Sequence, residues 1–137
     1  MSAESDAGRG ISAALDRYQQ AKSAGSRRDI LATLTANSPQ RALLAGSDED
    51  FAATRAMLDD AQYREEFINR RDYEIAGDTA TLRSDHAVTR SDRTDDRIPS
   101  TAVTKDILIE AENVDGAWLI HDVVSPQRQI MREIEGR

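Results

Sequence analysis

Two glycine-containing dipeptides, Gly77-Asp78 and Asp115-Gly116, constrain this chain more than any other feature. Each lies between two runs of alternating polar and apolar residues, the setting in which a two-residue hairpin turn forms. Tyr63–Ala76 therefore turns into Thr79–Arg90, and Thr101–Val114 turns into Ala117–Ser125. The polar stretch Ser91–Ser100 joins the two hairpins. Together they predict a four-stranded antiparallel meander.

The half before the meander has the other periodicity. Ile11, Leu15 and Tyr18 recur at helical spacing and run to Ala24-Gly25. Ser26 followed by Asp29 starts a second, shorter helix carrying Ile30, Leu31 and Leu34, which Asn37-Ser38-Pro39 stops. Ser47 followed by Asp50 starts a third, burying Phe51, Thr54 and Leu58, with Leu43-Leu44 as a packed connector. Helices first and a half-buried sheet second give an α+β fold. Three N-terminal helices cover a curved antiparallel sheet and make a cone with an internal pocket. The expected divisions are a flexible leader over 1–10, one domain over 11–126, and a tail over 127–137 with room for a short helix.

The turns also set the register, and hence which polar residues face the helices. Two-residue turns put Ile75 opposite Ala80, Tyr73 opposite Leu82, Phe67 opposite Val88, Ala111 opposite Ile120 and Ile107 opposite Val124. Centring the long loop near Asp95-Asp96 pairs Val88 with Val103, Ser84 with Ile107 and Leu82 with Ile109. On this register Asn69, Arg71, Ser84, His86, Lys105 and Asp122 point toward the helices. Arg83, Asp85, Glu110, Glu112 and His121 point to solvent, with Leu108 and Val123 as an apolar pair among them.

Composition removes several kinds of function. The net charge is −7 with no basic stripe, which disfavours nucleic acid and anionic membranes. There is no cysteine, so no disulfide and no thiolate chemistry. No apolar run approaches the roughly 20 residues of a membrane span. Met1–Gly10 has no apolar core of a signal peptide, so the chain as written is expected in the cytoplasm, or exported if a leader has been removed. Neither the two histidines nor the acid cluster Asp92, Asp95, Asp96 has metal-ligand spacing, and no phosphate loop is present. No metal and no cofactor is expected.

The segment ALDRYQQAKSAGSRRDILATL (Ala14–Leu34), with GDTATLRSDHAV (Gly77–Val88) and VDGAWLIHDVVS (Val114–Ser125), resembles the nuclear-transport-factor-2-like superfamily. That group includes ketosteroid isomerases, scytalone dehydratase, limonene epoxide hydrolase and polyketide-cyclase-like, or SnoaL-like, proteins. The resemblance implies the cystatin-like cone, a homodimer, and a pocket-facing role for Tyr18. It does not imply one activity, because this fold hosts enzymes and binders alike. Where the isomerases carry a catalytic carboxylate, this chain has Asn37-Ser38-Pro39-Gln40. The Asp-Arg-Asp set of the epoxide hydrolases is matched only by Arg71 and Asp122. Paired dehydratase histidines would need His86 and His121 on one face, and the register separates them.

Two constellations remain. His86 is a candidate general base, or else a histidine hydrogen-bonded to Asn69 at the rim. Asp122 with Arg71 is a candidate acid–base pair, or else a structural ion pair. Tyr18, Asn69, Arg71, Ser84 and Lys105 are the candidate ligand contacts. His121 is expected to pair with Glu110, and Trp118 to anchor the last strand. The sequence thus points to a domain that binds an unidentified small molecule. The alternatives are a small cofactor-free lyase, isomerase or hydrolase, and a module that pairs through its sheet. The dimer contact is expected on the outer face around Leu108 and Val123.

Overall fold

The computed structural model describes residues 3–56, 63–90 and 100–136. Leu58 and the centre of the long hairpin loop lie outside them. The elements run α1 (Ala3–Ala24), α2 (Arg27–Ala32), a 3-10 segment (Pro39–Leu44), α3 (Asp48–Ala56), β1 (Arg64–Ala76), β2 (Thr79–Arg90), β3 (Ser100–Val114), β4 (Ala117–Val124) and α4 (Pro126–Glu135). The sheet is open, antiparallel and in the order β1-β2-β3-β4. This is the expected α+β cone.

Local signals act where the sequence placed them. The Ser26 hydroxyl accepts from the Asp29 amide, and the Ser47 hydroxyl accepts from the Asp50 amide, each capping a helix. Asp115, Gly77 and Gly116 adopt positive φ in the two hairpin turns. The α1 helix starts at Ala3, well before the expected Ile11, so residues 3–10 are helical. Packing explains the extension: Ala7 lies against the core, and Gly10 lets the indole of Trp118 approach the helix. Residues 33–35 lie beside β4, where the Thr35 amide donates to Ile120 O and the Ile120 amide to Thr33 O. This covers the β4 edge with a short parallel bridge.

The core lies between α1, α2 and one face of the sheet: Ile11, Leu15, Tyr18, Ile30 and Leu34 meet Phe67, Leu82, Ile107, Ile109 and Ile120. Fully burying each large aliphatic contributes roughly 1.5–3 kcal/mol. The expected pairs Ile75–Ala80, Leu82–Ile109, Ser84–Ile107 and Ala111–Ile120 are all present.

Elsewhere bulges change the register. Breaks follow Ile68 and Arg71 in β1, so Phe67 lies opposite His86 rather than Val88, and Tyr73 loses its expected place opposite Leu82. A break between Ser84 and His86 pairs Val88 with Ala102 rather than Val103. A break at His121 pairs Glu110 with Asp122 and Leu108, not Ile107, with Val124. Asn69, Asp72 and Asp106 take up the first three irregularities in left-handed backbone. Directly opposed residues share a face, so each extra residue exchanges inside and outside along the rest of its strand.

Candidate functional site

Of the six polar residues expected to face the helices, Ser84 and His86 do so. Ser84 is fully buried opposite Ile107, and its hydroxyl is within hydrogen-bond distance of Ile68 O (3.0 Å) and Asp85 O (2.9 Å). Such local satisfaction suits a packing role. His86 shares the inner face with Phe67, and their rings stack at 4.7 Å.

Asn69, Arg71 and Lys105 depart from expectation because of the bulges. Arg71 lies opposite Arg83 on the outer face and pairs with Asp85 and Asp106. Asn69 is exposed and donates to Asp85 Oδ2 at 3.0 Å. With Thr104 opposite His86, the neighbouring Lys105 falls on the other face and is exposed. Asp85 is on the outer face but not in solvent: Asn69, Arg71 and the Asp106 amide enclose it at 4% exposure. Hydrogen bonds from Asn69 and the Asp106 amide, with Arg71, hold its carboxyl below the ordinary range. Arg70 takes the inward place expected of Arg71, donating to Ser12 and Gln19 of α1 and pairing with Asp16.

Asp122 is fully buried, yet Arg71 is not its partner. The bulge sets it opposite Glu110, under α4. Gln40 donates to it at 2.7 Å, Arg128 at 2.8 Å and Arg132 at 2.9 Å. Burial pushes its carboxyl up, but Arg128, Gln40 and the Val123 amide outweigh burial and leave it below the ordinary range. The same bulge turns Val123 opposite Ile109, where it packs against the core, so the outer apolar pair with Leu108 is not formed. Arg83 and Glu110 meet α4 through Gln129 and Arg132. His121 pairs with Glu112 at 3.0 Å and contacts the Thr35 hydroxyl at 2.9 Å, not Glu110.

The residue the sequence reading missed is Glu65. It is 4% exposed, and its Oε1 lies 3.0 Å from His86 Nε2. Its Oε2 accepts from the Tyr63 hydroxyl at 2.7 Å and faces Lys22 Nζ at 3.7 Å. Reciprocal bonds with Ser23, and Gln19 accepting from the Phe67 amide, fasten this part of β1 to α1. Burial raises the Glu65 carboxyl, but His86, Lys22 and Tyr63 together bring it below its ordinary value. An ionised Glu65 can only accept, so Nε2 of a neutral His86 carries the proton and Nδ1 keeps its lone pair. Nδ1 has no hydrogen-bond partner among the described residues. The strand pattern held the signal: Glu65 and Phe67 share parity, and only the second was counted as buried.

Tyr18 completes the group. Its ring lies 6.0 Å from Phe67, with Lys22 Nζ 5.9 Å from its centroid. The residue is 3% exposed, and its hydroxyl has no hydrogen-bond partner among the described residues. Burial, then the negative charge of Glu65, pushes the phenol well above its ordinary value, so it stays a neutral donor. The assembled set is an acceptor on His86, a donor on Tyr18 and an aromatic surface on Phe67.

Solved structures match this architecture over most of its length. The protein Aln2 from a Streptomyces species superposes with a TM-score of 0.65 at 14% identity, covering 93% of this chain and 96% of its own. A cystatin-like protein of unknown function from Nostoc punctiforme gives 0.59 at 16% identity, covering 84% and 86%. An NTF-2-like protein of unknown function from Shewanella oneidensis gives 0.55 at 17%, covering 85% and 96%. The fold is the cystatin-like, NTF-2-like fold of these structures. No family model matches the sequence, and no curated protein matches it. Within the cone fold, the Glu65–His86 pair lies on the side of the sheet that the helices cover. Among the described residues, no helix is long and apolar enough to cross a membrane, and no cluster of potential metal ligands forms.

Proposed function

We propose that the protein binds a small, partly apolar molecule in the cone, beside Tyr18, Phe67 and His86. The observation that carries this reading is the Tyr18 hydroxyl, which is buried with no hydrogen-bond partner among the described residues. A buried hydroxyl without a partner costs about 1–3 kcal/mol, which a ligand acceptor would recover. His86 Nδ1 supplies the complementary acceptor, and Phe67 supplies a ring to pack on. The ligand chemistry that fits is an oxo group for Tyr18 and a hydroxyl or other acidic hydrogen for His86.

Mass spectrometry of small molecules co-purifying with the protein tests the reading. A bound oxo- or hydroxy-compound is expected, with its affinity lowered at least about tenfold by Tyr18→Phe and by His86→Ala. Unchanged affinity in both variants would remove it.

A second reading follows from Glu65. A carboxylate bonded to Nε2 orients the imidazole and leaves Nδ1 free to take a proton, the arrangement of a general base. On that reading the protein is a cofactor-free lyase, isomerase or hydrolase, and His86 is its catalytic residue. His86→Ala would then abolish turnover of the ligand, and Glu65→Gln would reduce it with binding retained.

A further inference from the structure

Two groups beside the buried Glu65 carboxylate can supply a compensating positive charge: the ammonium of Lys22 and a protonated His86. Among the described residues, Lys22 is the one lysine or arginine paired with Glu65, its Nζ 3.7 Å from Oε2. Two pairs of residues on α1, each four apart, set that position. Gln19 accepts from the Phe67 amide, and the Ser23 hydroxyl bonds both the amide and the carbonyl of Glu65, which lays the last turns of α1 on β1. Tyr18 and Lys22, each one residue earlier, share the neighbouring face, with Nζ over the Tyr18 ring at 5.9 Å. The Lys22 side chain is 32% exposed, so its charge keeps part of its hydration while the carboxylate does not. Burial is the largest influence on the Glu65 carboxyl and raises it. The hydrogen bond from His86, the charge of Lys22 and the hydrogen bond from Tyr63, in that order, lower it further.

We propose that Lys22 is the counter-cation of Glu65 and thereby keeps His86 uncharged, with Nδ1 a hydrogen-bond acceptor. A carboxylate with a cation at 3.7 Å has little net charge left to draw a proton onto the imidazole. Without the ammonium, the buried carboxylate meets only neutral donors, the Tyr63 hydroxyl and Nε2–H of His86. The Glu65–His86 pair then gains by binding one proton. Nε2 already carries its hydrogen toward Oε1, so the open position is Nδ1, and the imidazole becomes an imidazolium. Tyr18 offers no positive charge in exchange, since its phenol stays neutral beside the same carboxylate. Lys22 acts on His86 through Glu65, as a positioning residue. Its consequence for a ligand rests on the binding site proposed beside Tyr18, Phe67 and His86. With Nδ1 protonated, that site would present donors on both Tyr18 and His86, and no base.

Proton NMR of the imidazole Cε1 hydrogens, followed through a pH titration of the ligand-free protein, tests the proposal. The chain has two histidines, so His121, held beside Glu112 instead, serves as the internal control. Lys22→Met should raise the proton affinity of His86 about tenfold and leave His121 where it was. Lys22→Arg keeps the charge and should titrate like the parent. An unchanged His86 in Lys22→Met overturns the proposal, and so does an equal change in both Lys22 variants. A purely structural role for Lys22 would move the thermal midpoint without this selective titration. The measurement needs no ligand. It can therefore fail while Tyr18→Phe and His86→Ala still weaken binding, and it can succeed where those variants leave affinity unchanged.

Discussion

Glu65 and His86 meet at 3.0 Å on the helix-facing side of the sheet, where Phe67 stacks on the imidazole at 4.7 Å and fixes its plane. The ring cannot turn from the carboxylate without losing that stacking. An orientation fixed at both an edge and a face is what separates this histidine from His121, which is held at one nitrogen beside Glu112.

Glu65→Gln should lower folding stability by about 1–2 kcal/mol. The amide can still meet Tyr63 and His86, but the charge facing Lys22 is lost. Chemical denaturation measures this directly. A variant as stable as the parent would show that the carboxylate stays ionised at no benefit to the fold.

Stability should be flat near neutral pH and fall in acid. Glu65 and Asp122 both have folded-state values below their ordinary 4.5 and 3.8. A lowered value means that the unfolded chain binds protons more readily, so the stabilisation is complete above the ordinary values. It is lost as pH falls through the lower folded-state ones. Thermal midpoints recorded from about pH 7 to pH 3 should begin to drop near pH 4.5, and Asp122→Asn should flatten the lower part of that drop.

Gly10→Ala should destabilise the protein by about 1–3 kcal/mol. A methyl group there would lie 2.6 Å from Trp118 Cδ1, so helix and indole must separate. Trp118 is the sole tryptophan, and its fluorescence should shift to the red as water reaches the ring. An unshifted spectrum with unchanged stability would mean that the ring swings aside freely.

The elements were legible because their boundaries are chemical. Capping serines mark the starts of α2 and α3, and two glycine turns placed the predicted strands within a residue or so of those observed, whereas α2, expected to run to Asn37-Ser38-Pro39, ends at Ala32. The site was legible only near the turns. Register read from Gly77-Asp78 holds through Ile75–Ala80, and register from Asp115-Gly116 holds through Ala111–Ile120. Past Ile68, Ser84 and Ile120 an extra residue intervenes, and alternation carries no mark of it. Asn69, Asp72 and Asp106 are residue types that tolerate left-handed backbone, which is a weak hint beside the many aspartates in this chain. Hence Arg70 replaced Arg71 inside, Lys105 moved out, and Glu65 emerged as the partner of His86.

The extra residue at His121 gives β4 two phases. Before it, Trp118 and Ile120 belong to the core; after it, Val123 belongs to the core, while Val124 is fully buried outside the main cluster, opposite Leu108. Were His121 instead paired as an ordinary residue of the ladder, β4 would keep a single phase. Asp122 and Val124 would then turn toward the helices together, and Val123 would turn away, with no other position altered. The arginines of α4 would lose their anion, and an unpaired carboxylate would enter an apolar interior. The bulge at this one point, rather than the identity of any side chain, decides whether the C-terminal helix has something to hold.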